Sequence, residues 1–454
     1  METKRETVTV AAPPSKSVSH RMLIGAALAA GDSVVEHVLE SRDIERTADI
    51  LRAAGARIER QGDGRFAVSG VAGTPAGGFD APVSCDVHES GTTCRLLTAV
   101  LAAGKGMFRI HGAPRMHERP IGELVDVLRD RGVRVTYEGR EGCPPLLIDS
   151  DGMSGGSAAI GLGESSQYLS GLLLAAPLTS GLTIEVSGDK VVSWPYVALT
   201  LQALEDFGIG FRVETRETPR GKWQADDWRT LREVRPGLVR FVVSPGVYRA
   251  GNYRVEGDWS NASYFLAAGA VGPRPVRVAG LRVDSLQGDR AMLDILGRMG
   301  ARFERADNGV VVAPSSLTGV EVDMGHCPDL VPTVAATAAF AQGVTTIRNV
   351  AHLRIKECDR LSAPAAELRK AGVRVEELDD GLVVYGSLRS GGPAPAPASG
   401  NDEKVMPFLS YGDHRMAMSL ALLGFAGVQV ALDDPACVAK SFPHFWNEWE
   451  KVRA

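Results

Sequence analysis

Between positions 13 and 21 the chain reads PPSKSVSHR, which sets Lys16, Arg21 and three serines at the start of a predicted helix. Such a start attracts anions, because the first-turn N–H groups lack intrahelical acceptors, the helix dipole is positive there, and hydroxyls and cations add further donors. Taken alone, the segment reads equally well as a serine-capped helix with solvated basic residues. Four more stretches combine cations with carboxylates or hydroxyls: PRMHERP at 114–120, RIKECDRL at 354–361, YGDHRMAM at 411–418 and AKSFP at 439–443. In RIKECDRL, Lys356 and Arg360 share a face if the segment is helical, and Glu357 adjoins the lysine. A carboxylate pressed between cations suits proton transfer, although a run of charges is more often a solvated turn. The sequence has no GxxxxGK[ST], GxGxxG or HExxH, so nucleotide-dependent and zinc-hydrolytic chemistry lack their signals.

Two recurring patterns say which elements must position these residues. A helix end of the form Leu-x-x-x-Gly recurs at Gly55, Gly132, Gly208, Gly300 and Gly372, with spacings of 77, 76, 92 and 72 residues. Each glycine sits where a helix C-cap needs positive φ. The segments that follow, ARIER, VRVTY, IGFRV, ARFER and VRVEE, alternate apolar and polar residues as half-buried strands do. The second pattern is a polar start leading into a helix rich in small apolar residues. It occurs six times, from Ser15, Glu89, Glu164, Asp258, Pro328 and Tyr411. Any one of these is readily a capped core helix; six in register imply a repeat whose helix starts share a surface.

The long spacing places an insertion at 216–233, and GGPAPAPASG at 391–400 reads as a flexible proline-rich loop. The last helix, FPHFWNEWEKV, has no strand after it, so the N-terminal strand at 7–10 is expected to close the C-terminal half before the chain crosses over. Two domains of three units follow: 1–14 with 256–454, and 15–255, joined by a two-stranded hinge.

Bulk composition narrows the function classes. A chain of 454 residues exceeds one ordinary core. Its net charge of −5 gives no global attraction for nucleic acid, so anion sites must come from local clusters. Six scattered cysteines show neither CxxC nor Cys/His ligand spacing, which argues against a structural metal or a disulfide framework and suits a cytoplasmic setting. The charged N-terminus runs straight into a strand pattern, and no apolar run approaches the roughly 18 residues of a membrane span.

The set SKSVSHR, SGTTCR, PRMHERPIGELVD, SSQYLSGLLL, GDWSNASYFLAA, RIKECDRL, YGDHRMAM and AKSFP, spread over nearly the whole chain, resembles the 5-enolpyruvylshikimate-3-phosphate synthases of the enolpyruvyl transferase family. The resemblance implies two inside-out α/β barrel domains, each of three βαβαββ units. It also implies transfer of enolpyruvyl from phosphoenolpyruvate to the 5-hydroxyl of shikimate 3-phosphate, by a monomer without metal or organic cofactor. Motif by motif, Lys16, Ser17, Arg21, Ser165, Ser166, Gln167, Ser193 and Tyr196 would hold shikimate 3-phosphate, with His352 at a position associated with the same substrate. Gly91, Thr92, Arg115, Arg360, Arg415 and Lys440 would surround phosphoenolpyruvate, with Lys16 and Gln167 reaching it as well. Asp329, in HCPDLVPT, would accept the hydroxyl proton, and Glu357 would protonate the methylene carbon with Lys356 beside it. Two phosphates and two carboxylates need many cations, and arginine suits planar anions bidentately.

Three positions depart from the family pattern. Glu89 replaces an asparagine, His352 replaces another, and Pro14 replaces a glycine. A carboxylate at 89 must either turn to a cation such as Arg115, Arg21 or His88, or repel phosphoenolpyruvate. The alternatives are a paralogue acting on another hydroxyl acceptor and a non-catalytic anion-binding scaffold. The UDP-N-acetylglucosamine branch fits less well, because HGAPRMHERP lacks its cysteine acid.

Overall fold

The computed structural model describes residues 6–231, 233–388 and 405–453. The predicted loop at 391–400 lies outside them. The fold is mixed α/β and divides into two compact units, Pro14–Val255 and Met1–Pro13 with Glu256–Ala454.

One plan is used repeatedly. In the second copy, strand Val83–Asp86 pairs parallel with Lys105–His111, which pairs antiparallel with Leu146–Asp151, which pairs antiparallel with Arg134–Tyr137. Two helices, Gly91–Ala102 and Gly122–Asp130, fill the connections. The same order of one parallel and two antiparallel pairings recurs in five sheets. Among the described residues the sixth has two strands, Met406–Phe408 and Val430–Leu432.

In each unit a strand next to a crossover completes one sheet. Val8–Ala11 lies parallel to Val276–Ala279, and Asn252–Arg254 lies parallel to Val34–Glu36. The N-terminal strand therefore belongs to the fourth copy, with the last helix, Phe445–Arg453, packed beside it.

All five Leu-x-x-x-Gly glycines have positive φ, between 72° and 107°. There the chain leaves an amphipathic helix for an outer strand, a turn only glycine makes without steric penalty. The strands after them expose more than simple alternation predicts. In four complete copies the strand is the open edge of its sheet, where one side meets solvent. In the third copy the insertion covers that edge, since Gln224–Asp226 pairs antiparallel with Phe211–Thr215.

The six small-residue helices are the buried ones: Lys16–Leu28, Gly91–Ala102, Gln167–Ala175, Trp259–Val271, Val331–Ala338 and His414–Leu420. Their small residues let backbones meet, and a Cβ on Gly171 would lie 2.8 Å from the Arg95 carbonyl oxygen. Hydroxyls tie the three helices of the C-terminal unit together, Ser263 to Thr333 at 3.2 Å and Thr333 to Ser419 at 3.3 Å. Among the described residues no helix is long and apolar enough to cross a membrane.

Candidate active site

The sequence-predicted residues lie at the starts of several of these buried helices and on the short turns between elements, with one cluster in each unit. In the unit Pro14–Val255, Lys16 opens its helix and pairs with Asp43 at 3.3 Å. Arg21, one turn on, is buried, and its donors are directed to neutral oxygens. They reach Thr200 Oγ1 at 2.8 Å, Ser17 O at 2.8 Å, Tyr196 O at 2.9 Å and Ser170 Oγ at 3.3 Å. Burial without a carboxylate partner lowers its pKa to about 10. The guanidinium thus holds the backbone of Ser17 and Tyr196 together, and it is not the cation that compensates Glu89.

The start of Gly91–Ala102 is capped by Ser90, whose Oγ accepts from Thr93 N at 3.2 Å. Gln167, opening the next buried helix, donates from Nε2 to Thr92 Oγ1 at 2.9 Å and accepts on Oε1 from Arg95 at 3.4 Å. Ser165 Oγ accepts from Gln167 N at 3.2 Å, and Ser165 and Ser166 are both buried. Ser193, also buried, caps its helix with a left-handed φ of 57°.

Arg115 is the more exposed arginine of PRMHERP. Its side chain is 42% exposed and pairs with Glu118 at 2.5 Å. The cation of that segment beside Gly91 is Arg119, buried, with Nη2 2.6 Å from where a Cβ on Gly91 would stand and Nη1 donating to the Glu89 carbonyl at 3.4 Å. Arg95 crowds the same glycine at 2.7 Å. Gly91 is therefore a place where guanidinium groups reach the backbone because no side chain stands in the way. Sequence reading passed over both cations. The signal for Arg95 was its spacing of four from Gly91, one helical turn; for Arg119 it was only its place in HERP.

In the C-terminal unit the cluster is built on Arg360, only 2% exposed. Its Nε donates to Asp413 Oδ2 at 2.7 Å, Nη1 to Asp329 Oδ1 at 2.9 Å, and Nη2 pairs with Glu357 Oε2 at 3.0 Å. Arg415 Nη2 donates to Asp329 Oδ2 at 2.6 Å and its Nη1 to Ser260 Oγ. Lys440 Nζ stands 3.6 Å from Glu357 Oε1. Burial would raise the Asp329 carboxyl, but Arg415, Arg360 and Lys356 outweigh it and hold its pKa down to about 2. The same carboxylates push Arg360 well above its ordinary value despite burial.

Asp413, unassigned by sequence, has two tasks. It chelates Arg360 and caps His414–Leu420 by accepting from Arg415 N at 2.9 Å. His352 is buried in the turn Ala351–Ile355, and Lys356 follows it. Lys356, Arg360, Arg415 and Lys440 face Asp329, Glu357 and Asp413, an excess of one positive charge. The chemistry available is anion binding next to two carboxylates able to exchange protons.

The family model described as EPSP synthase (3-phosphoshikimate 1-carboxyvinyltransferase) matches residues 2–229 and 233–449. A 3-phosphoshikimate 1-carboxyvinyltransferase of Ralstonia pickettii is 41% identical over 467 residues, covering 100% of this chain and 98% of that protein. That of Thiobacillus denitrificans is 41% identical, covering 99% and 97%. An EPSP synthase structure from Acinetobacter baumannii superposes with a TM-score of 0.74 at 25% identity, covering 99% of this chain and 96% of that one. The enolpyruvyl transferase NikO of Streptomyces tendae shares the fold, with a TM-score of 0.69 at 20% identity and coverage of 99% and 95%. With its helix-start cations and carboxylates in place and the match running from end to end, the chain belongs to the EPSP synthase family, the 3-phosphoshikimate 1-carboxyvinyltransferases.

Proposed function

We propose that this chain moves the enolpyruvyl group of phosphoenolpyruvate to the 5-hydroxyl of shikimate 3-phosphate and releases phosphate, as a cytoplasmic monomer. Each unit is read as an inside-out barrel of three repeats around its buried helices, with the crossings at 13–14 and 255–256 as a hinge. The observation that carries the reading is the Asp329–Arg360–Glu357 cluster flanked by Arg415 and Lys440.

In this mechanism Ser17, Ser165, Ser166, Gln167, Ser193, Tyr196 and His352 hold shikimate 3-phosphate, and Arg21 fixes Ser17 and Tyr196. Arg115, Arg360, Arg415 and Lys440 bind the phosphate and carboxylate of phosphoenolpyruvate, with Lys16, Gly91 and Thr92 alongside and Arg119 against Gly91. Asp329 takes the 5-hydroxyl proton as that oxygen adds to C2, and Glu357 delivers a proton to C3. Elimination then expels phosphate and returns the C3 proton. With a pKa of about 2, ligand-free Asp329 is a weak base. Substrate anions that draw off its arginines would strengthen it, coupling base strength to substrate binding.

Turnover in deuterium oxide tests this proton path. Deuterium is expected in the product methylene with the natural chain, and a product free of deuterium would contradict the role given to Glu357.

A further inference from the structure

The insertion at 216–233 lies along a helix that carries two of the assigned substrate residues. The helix Trp194–Asp206 begins just after Ser193 and includes Tyr196 in its first turn. Its first residue, Trp194, is 4% exposed, and its indole N–H donates to the carbonyl of Leu231, at the end of the insertion, at 3.0 Å. At the other end of the helix Glu205 accepts from Arg229 of the insertion. Eleven residues separate these two ties, about 16 Å at 1.5 Å per residue.

The insertion is itself anchored. Two guanidinium groups lie over the Trp223 ring, Arg216 at 4.0 Å and Arg240 at 4.5 Å from its centroid. Arg216 is fixed by Glu185 at 2.6 Å and Arg240 by Glu214 at 2.6 Å. Glu185 belongs to strand Leu182–Val191, which leads directly into Ser193. Both approaches to Ser193 are thus tied to one strap, and Ser193 itself is in a left-handed conformation that a non-glycine residue keeps only when its surroundings enforce it.

We infer that the insertion is a positioning element for shikimate 3-phosphate, acting through the Trp194–Leu231 hydrogen bond to hold Ser193 and Tyr196 in binding geometry. This rests on the assignment of those two residues to that substrate. Trp194 touches no substrate in this account; it acts through its neighbours.

The test is steady-state phosphate release by Trp194→Phe, which keeps the ring and removes the donor, beside Ser193→Ala. Trp194→Phe is expected to raise the KM for shikimate 3-phosphate about tenfold, with kcat and the KM for phosphoenolpyruvate changed less than twofold. Replacing 218–229 by a short glycine linker should give the same pattern. If Ser193→Ala raises that KM while Trp194→Phe leaves it within twofold, or if Trp194→Phe alters kcat and both KM values together, the strap is structural only and the inference fails. If Ser193→Ala moves neither KM, the assignment of Ser193 fails and takes the inference with it.

Discussion

Arg360 illustrates how single residues are committed here. Three carboxylates hold it, and removing it would leave buried Asp413 without its guanidinium and deprive part-buried Asp329 and Glu357 of a shared partner. Losing one partner of a buried pair costs about 3–5 kcal/mol, so Arg360→Gln should lower the urea midpoint as well as weaken phosphoenolpyruvate binding. A variant of natural stability would show that solvent or Arg415 already compensates the cluster. Glu357 sits between Arg360 and Lys440, where general acid–base catalysis is worth about two to four orders of magnitude. Glu357→Gln should lower kcat by that factor and leave the dissociation constant for shikimate 3-phosphate within about threefold; an unchanged kcat would reduce Glu357 to a structural partner. Residue types within RIKECDRL and YGDHRMAM announced a cation–carboxylate site, but not the assignment of pairs. Asp413 carries no assignment until the fold pairs it with Arg360. One-dimensional spacing does not say which arginine of PRMHERP is buried, since both lie near one short turn.

At the scale of elements, the buried helices are held by polar contacts as well as by apolar packing. His20 Nδ1 bonds Thr47 Oγ1 at 2.8 Å, Thr47 bonds Thr93 at 2.8 Å, and Thr93 bonds Ser90 at 2.6 Å, joining two helix starts. Burial, reinforced by Lys16 and Arg21 and opposed by Asp43, depresses the His20 pKa from 6.5 to about 3. The folded chain therefore keeps this ring neutral, and the associated stability is complete above about pH 6.5 and lost as pH falls toward 3. His20→Asn does not titrate, so its stability deficit against the natural chain should shrink by about 2 kcal/mol between pH 7.5 and 5, at about 1.4 kcal/mol per unit. A deficit constant with pH would mean that His20 takes up its proton as readily in the fold as in the unfolded chain. Gly171→Ala poses two opposed effects. Helix propensity favours alanine by about 1 kcal/mol, whereas overpacking against the Arg95 carbonyl costs about 1–3 kcal/mol. Net destabilisation by chemical denaturation is expected, and a stabilised variant would show that the two helices part easily. These helices were legible because their composition is extreme. The short strand of the insertion was not, since Gln224–Asp226 is exposed throughout and has no alternation to read.

The whole chain repeats one motif, yet only the unit Pro14–Val255 is continuous in sequence. The repeat spacing pointed to the N-terminal strand, and its partner was settled only by pairing: the fourth copy lacks a first strand of its own, and Val8–Ala11 supplies it. Val10 and Ala12 are buried in the core of the C-terminal unit. A carboxylate introduced as Val10→Asp would be desolvated there, at a cost of several kcal/mol. Hydrogen exchange should then accelerate across 256–453 while 14–255 keeps its protection; equal acceleration in both would show one cooperative body. The central claim is the reaction itself, and phosphate release from phosphoenolpyruvate measures it most directly. Release is predicted only when shikimate 3-phosphate is present, in equal amount with the carboxyvinyl product, and unaffected by EDTA. Turnover with UDP-N-acetylglucosamine in place of shikimate 3-phosphate, or loss of release on chelation, would contradict it.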